Sequence, residues 1–84
     1  MQIRVNPTAN KQMPELRKGD TGEAVRFLQN VLVALDYLNS DLVTGSYLDI
    51  TEQAVRNFQV DYGLRVDGIV GNNTWRVLGG LLWD

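Results

Sequence analysis

The chain has no cysteine and no histidine. Those two absences remove zinc sites of the Cys or His type, cysteine nucleophiles and Ser-His-Asp triads together. Zero cysteine fits any redox compartment, so it carries no information on location. There is no basic block either: 8 basic and 10 acidic residues are mixed along the chain, for a net charge of −2. That mixture argues against a nucleic-acid surface. Long apolar runs are missing too. The stretch Val31–Leu35 falls far short of the ~20 apolar residues that span a membrane. Met1–Lys11 (M-Q-I-R-V-N-P-T-A-N-K) has no apolar h-region and so does not read as a signal peptide. If the natural protein is exported, this sequence is expected to be a fragment or to leave by another route.

What remains is enough for one small domain. The chain has 84 residues, of which 44% are apolar. A domain of this size buries only about 60–65% of the surface its unfolded chain exposes, so caps and turns matter beside packing.

The strongest internal signal is a repeat. The pattern T-x-x-A-V-R-x-[Leu/Phe]-Q runs from Thr21 to Gln29 and again from Thr51 to Gln59, 30 positions on. Fixed self-similarity implies one structural unit used more than once. A second match, Gly45-x5-Thr51 with Gly68-x5-Thr74, recurs at an offset of 23. Each glycine turn leads into a helix whose first turn holds a threonine.

Periodicity supplies the elements. Residues 1–13 are polar and aperiodic and read as a tail or linker; residues 14–84 read as the domain. Val25, Leu28, Leu32 and Leu35 mark a helix with a broad buried face. It is expected to open on a capping box, Asp20 to Glu23, and to stop near Leu38–Asn39. A second helix is expected after Thr44-Gly45, with Asp49 and Glu52 as its box, Ala54 or Val55, Phe58 and Tyr62 inward, and Gly63 at its end. Between Leu64 and Ile69, Asp67-Gly68 signals a tight turn with a short extended pair. A third helix is expected from Gly71–Asn72, carrying Trp75, Leu78 and Leu81 or Leu82 inward. It is expected to fray or end at Gly79-Gly80, each glycine costing about 1 kcal/mol relative to alanine. The connections are too short for crossovers, so the fold class is all-α: a compact three-helix bundle.

These motifs resemble a known family. Leu16-x-x-Gly19-x-x-Gly22-x-x-Val25-x-x-Leu28-Gln29 is similar to the opening of the bacterial peptidoglycan-binding domain, the three-helix type attached to cell-wall hydrolases. Tyr37-Leu38 resembles the aromatic-plus-apolar pair that closes its first helix. Gly45-x-Tyr47 with Thr51-x-x-Ala54-Val55-x-x-Phe58-Gln59 is similar to its centre. Gly63-Leu64, Val66-Asp67-Gly68-Ile69-Val70-Gly71 and Thr74-Trp75-x-x-Leu78 resemble its close. Two positions depart from the pattern: Leu48 stands where the family usually has glycine, and Asp49 where proline is common.

The resemblance implies a non-catalytic module that binds peptidoglycan and holds an attached or partner hydrolase on the wall. The implied ligand is the stem peptide with adjoining N-acetylmuramic acid, the implied location extracytoplasmic, in the cell wall or periplasm. No cofactor, metal, nucleic acid or membrane partner is expected, and the chain is expected to be a monomer. The alternative is a protein-interaction or regulatory domain packing against a partner enzyme. The version found in metalloproteinase propeptides needs a cysteine that this chain lacks.

Candidate ligand-binding residues are Tyr47, Asp67, Asn72, Asn73 and Trp75. Asp67, Asn72 and Asn73 cluster where the third helix begins; they serve either as turn chemistry or as a polar cradle beside exposed helix N–H groups. Trp75 fills the core or stacks on a ligand at a groove edge. Tyr37, Tyr47 and Tyr62 divide the same way, with Tyr62 the most core-like. Gln29 and Gln59 are expected to brace loops rather than touch ligand. Arg26 and Arg56 lie on a solvated face or contact stem-peptide carboxylates. The carboxylate pairs Asp41/Asp49 and Asp61/Asp67 lack the accompanying groups of an enzyme, so no catalytic residue is assigned.

Overall fold

The computed structural model describes residues 13–83, with the side chain of Trp83 excepted. The expected tail therefore lies outside the described residues, Met13 apart. Three α-helices follow in order: α1 (Glu23–Ala34), α2 (Asp49–Asp61) and α3 (Asn72–Trp83). A single turn of 3-10 helix, Ser40–Leu42, lies between α1 and α2. No strand forms among the described residues. Two isolated antiparallel bridges, Leu16 with Val70 and Thr21 with Ser46, tie the segment before α1 to the two interhelical loops.

The apolar spacing translates directly into a core. Val25, Leu28 and Leu32 from α1, Val55 and Phe58 from α2, and Leu78 from α3 are all 1% exposed or less. Each such side chain contributes about 1.5–3 kcal/mol by leaving water. Two loop residues, Tyr47 and Val70, are sealed in with them at 0%.

Both expected capping boxes are absent. The residue before α1 is Gly22 and the residue before α2 is Leu48, and neither helix start has a side-chain cap. The Asp20 carboxylate instead accepts the Arg17 N–H, bracing the turn that precedes α1. Asp49 is the first residue of α2 and meets Lys18 at 2.5 Å. The D-x-x-E spacing fits a helix start, but the bridges to the interhelical loops fix where each helix begins.

The helix ends are better defined. After α1, Asp36 takes a left-handed φ of 71°. The Tyr37 N–H donates to Leu32 O at 2.7 Å and the Asp36 N–H to Val33 O at 3.0 Å. After α2, Gly63 takes φ 66°, and the Leu64 and Gly63 N–H groups donate to Gln59 O and Val60 O. Both are Schellman ends, which satisfy carbonyls otherwise left bare. The end at Asp36 stops α1 earlier than the expected Leu38–Asn39, because an aspartate replaces the usual glycine there and gives no sequence signal.

α3 continues through Gly79-Gly80 to Trp83 rather than ending there. Leu78 is buried on one side of the glycines and Leu82 packs against the core on the other. Burial of those flanking leucines outweighs the glycine propensity cost of about 1 kcal/mol each. The tyrosines also sort against expectation: Tyr47 is enclosed, while Tyr62 is 43% exposed, its ring 4.7 Å from Phe58.

Candidate functional site

The two glutamines of the repeat each organise one loop. The Gln29 side-chain oxygen accepts the N–H groups of Thr44 (3.0 Å) and Gly45 (2.8 Å). Its amide nitrogen donates to Ser46 O (3.0 Å) and Thr51 Oγ1 (2.9 Å). The Gln59 oxygen accepts the N–H groups of Asp67 (3.1 Å) and Gly68 (3.0 Å). Its nitrogen donates to Ile69 O (3.0 Å) and Thr74 Oγ1 (3.2 Å). These four partners correspond one for one at the offset of 23, and the Gln59 nitrogen has one more acceptor, Asp67 Oδ1 at 3.1 Å, with no counterpart in the first loop. Both amides are 0% exposed and use their full bonding capacity.

The arginines of the repeat lie across the loop glycines. A methyl group on Gly45 would stand 3.1 Å from Arg26 Nη2. One on Gly68 would stand 3.2 Å from Arg56 Nε and 3.0 Å from Glu52 Cγ. Both glycines also have positive φ, 86° and 74°. The repeat is thus a device that anchors a loop to the preceding helix and starts the next one.

The second anchored loop opens onto a polar groove of about 540 Å³ at the start of α3. Asp67, Asn72 and Asn73 line it, as do Arg65, Arg76 and Glu15. Three of the five candidate residues therefore converge. Asn72 and Asn73 are exposed in the first turn of α3, and the Arg76 guanidinium donates to Asn73 Oδ1 at 3.2 Å.

Asp67 is tied into the loop. Its Oδ1 accepts the Ile69 N–H at 2.9 Å and the Gln59 amide at 3.1 Å. Burial by itself pushes the carboxyl up, but those hydrogen bonds and the Arg65 charge outweigh burial and hold it below the usual carboxylate range. Asp67 is therefore an anion at neutral pH, with Oδ2 free of protein partners among the described residues.

The other two candidates are placed elsewhere. Tyr47 is fully enclosed, and its hydroxyl donates to Gly68 O. Burial pushes the phenol up. Tyr47 supports the second loop from beneath and offers no surface to a ligand. Trp75 is 8% exposed. Its indole N–H donates to Pro14 O at 2.8 Å, and its ring stacks on Phe27 with centroids 5.9 Å apart. Trp75 lines an apolar notch with Met13, Phe27 and Leu82, away from the polar groove. Two residues beyond Asn73 is about 200° around a helix, which sends the two side chains in opposite directions.

Arg65 and Arg76 are the groove residues that the sequence reading missed. A signal for each was present. Arg76 is three and four residues past Asn73 and Asn72, one helical turn along the same face. Arg65 precedes Asp67 by two in an extended segment, where alternate side chains share a side. Of the carboxylates in the two pairs, Asp49 meets Lys18, Asp61 accepts the Tyr37 hydroxyl, and Asp67 accepts the Ile69 N–H.

Comparison with known proteins gives this geometry a context. A family model described as "Putative peptidoglycan binding domain" matches residues 21–78. The chain is 43% identical over 72 residues to the N-acetylmuramoyl-L-alanine amidase CwlM of Mycobacterium tuberculosis, covering 75% of this chain and 18% of that protein. The crystal structure of the SleB N-terminal domain superposes with a TM-score of 0.77 at 33% identity, covering 82% of this chain and 93% of that one. A peptidoglycan-binding protein from Clostridioides difficile, solved with glutamine hydroxamate, superposes with a TM-score of 0.76 at 39% identity, over 82% of this chain and 42% of that one. This chain spans 18%, 55% and 19% of three curated relatives that it matches.

Proposed function

The chain belongs to the peptidoglycan-binding domain family, and from that premise we propose that it acts as a non-catalytic wall-binding module for an attached or partner hydrolase. The observation that carries the reading is the family match over residues 21–78, about two-thirds of the chain, which takes in α1, α2 and the first part of α3. Such a module works by effective concentration: even weak binding to a polymer keeps a tethered enzyme near its substrate. The place of action is accordingly outside the cytoplasmic membrane. No helix among the described residues is long and apolar enough to cross one.

In this proposal the groove at the start of α3 receives the stem peptide, with the adjoining N-acetylmuramic acid at its rim. Arg65 and Arg76 supply forked donors for stem-peptide carboxylates. Asn72 and Asn73 offer amide donors and acceptors for the peptide backbone. The charged Asp67 at the groove floor faces an incoming ammonium or N–H group.

The test is binding to purified sacculi with a folded control. The double variant R65A/R76A changes two exposed side chains and leaves the core intact. It is expected to weaken sacculus binding by about tenfold or more, the equivalent of losing two charge-assisted contacts. It is expected to do so with an unchanged melting temperature. Parent protein that fails to co-sediment with sacculi overturns the function. Undiminished binding by R65A/R76A overturns the site.

A further inference from the structure

The repeat that builds the α3 groove also builds a second concavity at the start of α2. Shifted by 23 positions, Arg65, Asn72, Asn73 and Arg76 become Leu42, Asp49, Ile50 and Gln53. Those residues line two adjoining hollows of about 260 and 510 Å³. Tyr37 and Ile50 border both hollows and form the ridge between them. The chemistry of this copy is different. Both arginines are replaced by neutral side chains, and an aromatic ring has been added from the end of α1.

We propose that this Tyr37–Ile50 surface is a second binding site that takes a neutral N-acetylated sugar ring of a glycan strand. Tyr37 supplies the platform. Its ring meets Phe58 edge-on at 5.5 Å and 86°, and its hydroxyl donates to Asp61 Oδ2 at 2.6 Å. Anchored at both ends, the ring has little orientational freedom left to lose on binding. The bond to Asp61 pushes the phenol up to about 12, so it stays a neutral donor and adds no charge.

Ile50, Gln53 and Asn57 follow at spacings of 3 and 4 along α2 and form one stripe beside Tyr37. Ile50 is 55% exposed, an apolar face suited to sugar C–H groups. The Gln53 amide donates to Asn57 Oδ1 at 3.0 Å. That bond orients the pair and leaves the Gln53 amide oxygen and the Asn57 amide NH2 without partners among the described residues. One acceptor and one donor group beside an aromatic ridge match the hydroxyls and N-acetyl group of such a ring. Asp36 and Asp49 also border the hollows, Asp49 meeting Lys18, and their carboxylates are acceptors for sugar hydroxyls. The site is separate from the α3 groove and shares with it only the wall polymer as the source of ligand.

The experiment is an NMR titration of the labelled protein with two probes kept apart: soluble oligomers of N-acetylglucosamine, which carry no peptide, and a stem peptide that carries no sugar. The sugar oligomers are expected to shift the amides of Tyr37, Asn39, Ile50 and Gln53 and to leave Asp67 to Asn73 unmoved. Tyr37→Ala is expected to weaken that binding by about tenfold, the worth of one aromatic contact. Because Tyr37 also packs on Phe58, Gln53→Ala is the decisive variant: it changes an exposed side chain and is expected to weaken oligomer binding severalfold at unchanged melting temperature. Oligomers that move no amide at millimolar concentration, or that move only the Asp67 groove, overturn the proposal. So does a Gln53→Ala protein that binds them like the parent. The stem-peptide arm reads the α3 groove alone, so failure of either site is seen independently of the other.

Discussion

The loop that Gln29 anchors and the loop that Gln59 anchors are nearly the same object inside and different objects outside. Inside, each glutamine accepts two N–H groups and donates to one carbonyl and one threonine hydroxyl. Outside, the hollow ahead of α2 is bordered by Leu42, Ile50 and Tyr37, while the groove ahead of α3 is bordered by Arg65, Asn73 and Arg76. Buried polar groups tolerate little change, because each needs a partner at a fixed place. Rim residues meet water either way, so they can diverge without cost to the fold. A duplicated scaffold thus carries two surfaces of distinct chemistry.

The largest effects should come from breaking the shared interior. Gln29→Ala strands the buried Gly45 N–H and Thr51 hydroxyl and removes a partner from the Thr44 N–H and Ser46 O at the edge of the site, at about 1–3 kcal/mol per unsatisfied buried group. The expected loss is about 3–5 kcal/mol in urea unfolding, a large part of the total stability of a small domain. Gln59→Ala is expected to cost less. In the second loop the Ile69 N–H also bonds the Asp67 carboxylate at 2.9 Å. In the first loop the equivalent Ser46 N–H has only the Thr44 hydroxyl, at 3.1 Å. A charged acceptor holds its loop more strongly than a neutral one. If Gln59→Ala proves the more damaging of the two, the ranking of the two loops is wrong.

Next come the glycines. Alanine at either Gly45 or Gly68 must take a left-handed conformation, at about 1–2 kcal/mol. Gly68→Ala should cost more than Gly45→Ala. At Gly68 the new methyl meets Glu52 Cγ at 3.0 Å and Arg56 Nε at 3.2 Å, whereas at Gly45 the tight contact is the mobile tip of Arg26 at 3.1 Å. Equal midpoint shifts in urea would show that the arginines yield alike in both units.

The smallest effect sharpens the contrast by pH. Asp67 has no ionisable counterpart in the first loop, where Thr44 stands in its place. Its folded carboxyl lies below its ordinary value of 3.8. A depressed folded value means that the stabilisation is fully present above the unfolded value and is lost as pH falls through the folded one. Below about pH 4 the Ile69 amide should therefore exchange faster while the Ser46 amide does not. In Asp67→Asn this acid dependence should vanish. Parallel acid loss of protection at both amides would break the distinction.

Much of this organisation was legible in the sequence, and the misses have physical causes. The helices were readable because Val25, Leu28 and Leu32, or Val55 and Phe58, recur at helical spacing. The glutamine braces were readable because a polar residue on an apolar face must find partners. The capping boxes failed because Asp20 and Asp49 had competing partners, the Arg17 N–H and Lys18, that lie outside the helix starts. The groove was half-legible. Asp67, Asn72 and Asn73 were placed together by adjacency, whereas Arg65 and Arg76 needed the turn between them to be closed before they could be seen as neighbours.

The sequence by itself determined the three helices, their repeat, the glycine turns and the family, because each depends on spacing within a few residues. Tertiary structure alone decided that Tyr47 is sealed and Tyr62 exposed, that Trp75 turns toward Pro14 and Phe27, and that α3 runs through Gly79-Gly80. The physical reason is the same in each case. Periodicity fixes which face of an element is apolar, but only the approach of one element to another decides what that face, or a loop side chain, will meet.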